Sequence, residues 1–394
     1  MPDTSPSMHL AVALDAAGWH PAAWREPTAR PAELFTAGYW ADLVAEAERG
    51  RLDLVTIEDS LGLQSTHPTQ PPDTRTDQVR GRLDAVLIAA RVAPLTSHIG
   101  LVPSVVVTHT EPFHIAKAIA TLDYVSGGRA GVQVRVSARP DEAAHFGRRE
   151  SPDLRNAAAV GELFDEAADY VEVVRRLWDS WEDDAEIRDV ATGRFVDRDR
   201  VHHIDFTGRW FSVKGPSITP RPPQGQPLVA ALAHSGPPHR LIGRSADLGF
   251  VTPADPARAR AVVAEIRAEQ AAAGRAGQSV HILADLVVFL DATGARARAR
   301  QARLDELAGG PWTSDAAVFA GTPTELADLL QEWQEAGLSG FRLRPATLPY
   351  DLEQVTRSLV PELSRRGAFR REYAAGTLRG LLGLPRPANR YATA

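Results

Sequence analysis

The chain has 394 residues, 44% of them hydrophobic and 24% charged, which describes a soluble globule long enough for one large α/β domain or two ordinary ones. A formal net charge of -6 gives no electrostatic reason to expect nucleic acid or an anionic membrane as partner, so a small-molecule substrate is the default. The absence of cysteine excludes disulfides, thiolate catalysis, Cys-ligated zinc and iron–sulfur clusters.

Met1 to Ser7 carries neither the positive charge nor the apolar run of a secretion signal, and no later run is apolar enough to span a bilayer. A cytoplasmic location is expected. Leu10 to Leu14 reads as a short apolar strand, followed by a Gly/Trp/His/Pro loop from Gly18 to Pro31. A helix follows over about Thr36 to Arg49, then a strand from Leu52 to Ile57 that ends in Glu58-Asp59. A Pro/Thr-rich loop runs on to Val79, before a helix near Leu83 to Val92.

The strand Ile99 to Val107, the helix Pro112 to Val125 and the strand Ala130 to Val136 continue the alternation. In the last of these, Val132, Val134 and Val136 alternate with Gln133, Arg135 and Ser137. A helix from Phe164 to Trp181 leads into a charged, then Pro-rich segment, Glu182 to Pro227, read as an insertion that forms a partial β-ribbon over one barrel end. Strands Leu228 to Leu232, Leu248 to Val251, His281 to Leu290 and Gly340 to Leu343 follow. Their intervening helices cover about His239–Ser245, Pro256–Ala273, Ala295–Leu307 and Thr324–Ala336, and a last helix covers Leu352–Leu363. Eight strand-helix units predict a closed (β/α)₈ TIM barrel, one domain over residues 1–394, with its chemistry at the C-terminal strand ends. The tail beyond Ser364, with Arg365, Arg366, Arg370 and Arg371, reads as a solvated helical face.

Gly127-Gly128-Arg129-Ala130-Gly131 lacks the spacing of a dinucleotide or phosphate loop and precedes a strand, so a helix-to-strand turn accounts for it. His202-His203 are adjacent and would point to opposite faces of a strand, so no metal site is assigned. No serine lies in a nucleophile elbow. The residues by themselves lead to a soluble α/β-barrel enzyme.

Several stretches resemble the flavin-dependent luciferase-like monooxygenases, in the branch of the nitrilotriacetate, dibenzothiophene-sulfone and long-chain alkane enzymes. They are Gly18-Trp19-His20 with Ala23-Trp24-Arg25, Ala45 to Asp53, Gly321-Thr322-Pro323, Gly340-Phe341, Val360 to Leu363 and Arg365-Arg366-Gly367. The strongest match is Thr121-Leu122-Asp123 through Gly131. Beyond it Val132, Gln133, Val136 and Ala138 replace the Trp, Asn, Thr and His of the branch.

The resemblance implies reduced FMN and O₂ as co-substrates, a separate NAD(P)H:flavin reductase and a homodimer, with no nucleic-acid or membrane partner. It implies that Asp59, Thr108 and Gln133 line the flavin ring beside Ser137. Ser235-Gly236 then meets the phosphate, with Phe164 standing where a Tyr would bind. It makes His20 the first acid/base candidate and His109 the second. Two alternatives stay open: an F420-dependent oxidoreductase of the same superfamily, and a non-catalytic or cofactor-free relative. The second is motivated by Val132, Val136, Ala138 and Phe164 departing together, and by Ala233 and Pro238 in the phosphate turn.

Overall fold

Short runs of aliphatic residues bounded by turns pair in register to form the frame of the protein. The computed structural model describes residues 8–65 and 73–392. Met1 to Ser7 and part of the Pro/Thr-rich loop lie outside the described residues.

Among the described residues, eight parallel strands close a barrel: β1 (His9–Leu14), β2 (Leu54–Ile57), β3 (Gly100–Val106), β4 (Gly131–Arg135), β5 (Leu228–Ala233), β6 (Leu248–Val251), β7 (His281–Leu290) and β8 (Gly340–Pro345). Each pairs with its neighbours in sequence, and β8 returns to β1 to close the ring. The expected (β/α)₈ architecture is therefore observed. One element was not foreseen: Ala317–Gly321 adds a further parallel strand to the outer half of β7.

Side chains alternate along each strand. Val12, Val55, Val132, Val134, Ile282 and Phe341 point outward into the principal core under the helices. At the N-terminal end of the barrel, inward-facing Leu54, Leu228 and Leu248 meet Leu378, Leu382 and Leu384 of the C-terminal tail. The tail is thus a plug rather than a solvated face, at about 1.5–3 kcal/mol for each Leu fully removed from water. Arg370 also departs from the solvated reading, because it pairs with Asp53, whose carboxylate is fully buried. Arg365 ends the helix Val360–Arg365 and Arg366 caps it, and both bind Glu362.

The insertion forms two short antiparallel ribbons, Glu186–Asp189 with Arg194–Val196 and Phe206–Thr207 with Ser212–Val213. Phe211 packs edge-on to Tyr170 of the helix Ala157–Asp179, and Arg209 binds Glu162 of that helix. The segment then reaches the N-terminal barrel end, where Gln224 binds Asp123 and the Ala130 carbonyl.

The turn between Pro112–Ser126 and β4 is structural throughout. Gly127 and Gly128 take positive φ values of 67° and 90°, which suits glycine at a helix C-terminus. The Asp123 carboxylate accepts from the Ala130 and Gln224 amides, and burial pushes its pKa up to about 6. Arg129 donates to the carbonyls of Ala93, Thr96, Ile99 and Ser126.

Candidate active site

Period-two alternation stacks polar side chains inside the upper half of the barrel. Thr56, Ser104, Gln133, Asp285 and Arg342 form a middle layer, and Asp15, Glu58, Arg135, His234 and Arg344 follow two residues later toward the mouth. Buried charges persist only when paired, as Glu58, Asp285, Arg342 and Arg344 are here.

Arg342 donates from Nε and Nη2 to the two oxygens of Asp285 at 2.8 and 2.5 Å. Its Nη1 reaches Gln133 Oε1 at 2.5 Å and Glu58 Oε1 at 3.3 Å, and the guanidinium lies 3.8 Å from the centre of the Phe250 ring. Gln133 Nε2 donates to Ser104 Oγ at 3.1 Å. Arg344 continues the chain outward, with Nε on Asp285 at 2.8 Å and Nη1 on Asp315 at 2.6 Å. Burial would raise the Asp315 carboxyl, but the Arg344 guanidinium holds it down at about 2. His234 caps this line at the mouth, bonding Thr252 Oγ1 at 2.8 Å, and burial pushes its pKa below the ordinary imidazole range.

The loop after β1 closes over Arg344. Gly18, at φ 131°, brings its backbone so near β8 that a Cβ there would lie 2.4 Å from the Ala346 carbonyl. Trp19 then donates its amide to Pro345 O and its indole to Ala13 O, and its ring lies 4.2 Å from the Arg344 guanidinium.

Gln133 lies at the centre of the polar layer. Asp59 does not: its carboxylate accepts from the Ala85 and Ser60 amides at the start of the helix Ala85–Val92, and the residue facing inward is Glu58. Burial raises the Asp59 pKa to about 6. His20 is also directed away from the mouth. Its Nδ1 accepts from the Ala22 amide and its Nε2 meets Asp305, between Phe289 and Trp312 at 1% exposure. The reading of His20 as first acid/base candidate is corrected to a structural one, since both ring nitrogens are spent.

His109 stacks on Phe146 with its Nε2 buried and unpartnered, and burial lowers its pKa. Thr108 Oγ1 accepts the Ser137 amide at 2.9 Å, and Ser137 Oγ accepts that of Arg139 at 3.2 Å. These bonds tie together the loops after β3 and β4. Ser235 precedes the helix Gly236–Ser245, but its hydroxyl caps no amide. Phe164 faces that helix across a small cleft shared with Pro237, Arg240 and Arg244. Glu58, Asp285, Arg342 and Arg344 were missed from sequence; the signal was their two-residue spacing beyond apolar inward positions.

Residues 18–340 match the family described as luciferase-like monooxygenase. The chain belongs to this family. Among curated relatives of this luciferase-like protein, the N-acetyl-S-(2-succino)cysteine monooxygenase of Bacillus subtilis (strain 168) is 31% identical over 97% of this chain and 98% of its own. Nitrilotriacetate monooxygenase component A of Aminobacter aminovorans is 30% identical over 97% of both. Among solved structures, the EDTA monooxygenase of Chelativorans sp. BNC1 superposes with a TM-score of 0.83 at 26% identity, covering 96% of this chain and 99% of that one. F420-dependent enzymes of the same fold are more distant, at 14% and 16% identity.

The fit of a flavin to this family member is uneven along its length. A ring over the polar layer would meet hydrogen-bonding groups such as Gln133, Ser104 and Glu58. A phosphate at Ser235-Gly236 would meet a hydroxyl and one amide, because Pro237 and Pro238 both lack N–H donors in the first turn, and Phe164 has no hydroxyl.

Proposed function

We propose that this protein is the oxygenase component of a two-component monooxygenase that uses O₂ and reduced FMN, supplied by a separate NAD(P)H:flavin reductase, to oxygenate a small organic substrate. The observation that carries the reading is the interlocked polar layer, Gln133–Arg342–Asp285–Arg344–Asp315, immediately beneath the C-terminal mouth of a luciferase-like barrel.

Bound reduced flavin supplies two electrons to O₂, so that one oxygen atom enters the substrate and the other leaves as water. The chain's own contribution is placement and exclusion of water. Gln133, Ser104 and Glu58 form a fixed set of hydrogen-bonding groups that would face a bound flavin ring, held in one arrangement by Arg342. Trp19 and the loop after β1 cover Arg344 and narrow access from that side. His109 takes the acid/base role, because its Nε2 has no protein partner, and burial lowers its pKa. Thr108 and Ser137 hold the loops that would frame the ring, and Ser235 with Gly236 would meet the phosphate at the start of the helix Gly236–Ser245. A single domain, a homodimer and a cytoplasmic location complete the proposal.

A cofactor-free relative is the second reading, favoured by Phe164, Pro237 and Pro238 at the phosphate end. An anaerobic titration with reduced FMN, oxidised FMN and F420, followed by mass spectrometry of retained ligand, separates the readings. Binding of reduced FMN with substrate oxygenation on admission of O₂ supports the first. Retention of no flavin by folded protein establishes the second, and retention of F420 alone overturns both.

A further inference from the structure

Two arginines, Arg82 and Arg135, take no part in the ion pairs that hold the polar layer together. Arg82 makes no hydrogen bond among the described residues. Its nearest carboxylate is Asp15, with Nη2 3.8 Å from Oδ1, and its Nε is buried without an acceptor. Arg135, the inward residue at the end of β4, spends one Nη1 donor on the Asp59 carbonyl at 2.8 Å. The other arginines nearby are satisfied: Arg139 binds Asp141 and the Leu63 carbonyl, while Arg342 and Arg344 hold Asp285.

The carboxylates near this pair are largely committed to other partners. Asp15 accepts from Gln64 Nε2 at 3.2 Å, and burial raises its pKa against the pull of Arg82 and Arg135. Glu58 is engaged by Arg342, Thr56 and Ser104, and the Asp59 carboxylate faces the helix Ala85–Val92. Both guanidinium groups therefore keep unspent donors, and the buried Arg82 Nε costs free energy until an acceptor meets it. A planar guanidinium with unspent donors matches a carboxylate edge to edge. Gln64 Oε1, also buried and unpartnered, adds an acceptor beside the two cations.

We propose that Arg82 and Arg135 form a carboxylate-binding subsite, so that the substrate is a small anionic molecule with an N–H or O–H donor close to its carboxylate. This rests on the monooxygenase reading above and names its substrate class. The carboxylate lies against the two guanidinium groups, Gln64 Oε1 accepts the neighbouring donor, and the rest of the molecule extends over the layer containing Gln133.

The test uses the full chain, with and without bound oxidised FMN, and calorimetry with succinate, N-acetyl-L-aspartate and the neutral dimethyl ester of N-acetyl-L-aspartate at up to millimolar concentration. The expected result is binding of N-acetyl-L-aspartate that weakens by about tenfold or more in Arg82→Met and in Arg135→Met, with partial recovery in Arg135→Lys and no binding of the ester. Thermal melts confirm that each variant is folded. No carboxylate binding by the native protein, equal binding of the ester, or unchanged binding in both Met variants would overturn the proposal. FMN fluorescence titrations keep the two readings apart. If the Met variants lose FMN while carboxylate binding persists, the arginines serve the cofactor and the subsite fails. If the native protein binds N-acetyl-L-aspartate but no flavin, the subsite stands and the monooxygenase reading fails.

Discussion

Arg342 on β8 and Asp285 on β7 are register partners, joined by two hydrogen bonds of 2.8 and 2.5 Å, with neither residue exposed. Asp285 serves Arg344 at the same time, so one carboxylate balances two buried cations. Replacing it by Ala leaves both without their shared partner. Asp285→Ala is expected to lose about 3–5 kcal/mol of stability, the scale for breaking one side of a buried ion pair. Urea denaturation measures this, and a loss under about 1 kcal/mol would show that water or Asp315 takes over the role.

His281 governs an acid limit. It donates from Nε2 to the Leu382 carbonyl of the tail at 2.8 Å, and burial pushes its pKa down to about 4. The unfolded chain, with a His pKa of about 6.5, binds the proton more readily between these values. Its contribution is therefore present in full above pH ~6.5 and is lost as pH falls toward ~4, by up to about 3 kcal/mol. Hydrogen exchange should show Leu378–Leu384 opening first in that window. In His281→Asn the difference in stability between about pH 7 and pH 4.5 should shrink by a comparable amount; an unchanged slope would rule out this residue.

Leu378 is fully buried at the lower barrel end. Leu378→Ala should cost about 2–5 kcal/mol, as for other large-to-small changes in packed cores. Chemical denaturation provides the number, and an effect inside ±0.5 kcal/mol, the range of ordinary surface substitutions, would contradict a plugging role.

Gly18→Ala tests the loop that carries Trp19. The added Cβ would lie 2.4 Å from the Ala346 carbonyl, and the φ of 131° suits only glycine. A cost of about 1–3 kcal/mol is expected, together with a shifted Trp emission as Trp19 leaves Arg344. An unaltered spectrum and melting temperature would show that the loop yields freely.

Phe164→Tyr should strengthen FMN selectively if Ser235 and Gly236 meet the phosphate. One added charge-assisted hydrogen bond, about 1.5–3 kcal/mol, corresponds to roughly tenfold or more in Kd. Riboflavin, which has no phosphate, is the control. Equal gains for FMN and riboflavin in fluorescence titrations would place the effect elsewhere.

The sequence by itself determined the barrel, because period-two strands and period-3.6 helices follow from local patterning and their alternation permits few topologies. It also determined the family, through the Thr121 to Gly131 turn, whose Asp123, Gly127, Gly128 and Arg129 prove to be structural. Gln133 was legible for a related reason: a carboxamide in a valine strand needs a partner, and Arg342 and Ser104 provide it. Only the tertiary structure decided between Glu58 and Asp59 at the end of β2. Adjacent residues there face opposite ways, and a one-residue difference in phase exchanges barrel interior for helix cap. It alone buried His20 between Phe289 and Trp312, drew the tail into the barrel floor, and gathered Arg82, Arg135, Asp15 and Gln64 from four separate segments. Such contacts between distant parts of the chain leave no periodic trace, since each depends on barrel closure rather than on the residues beside it.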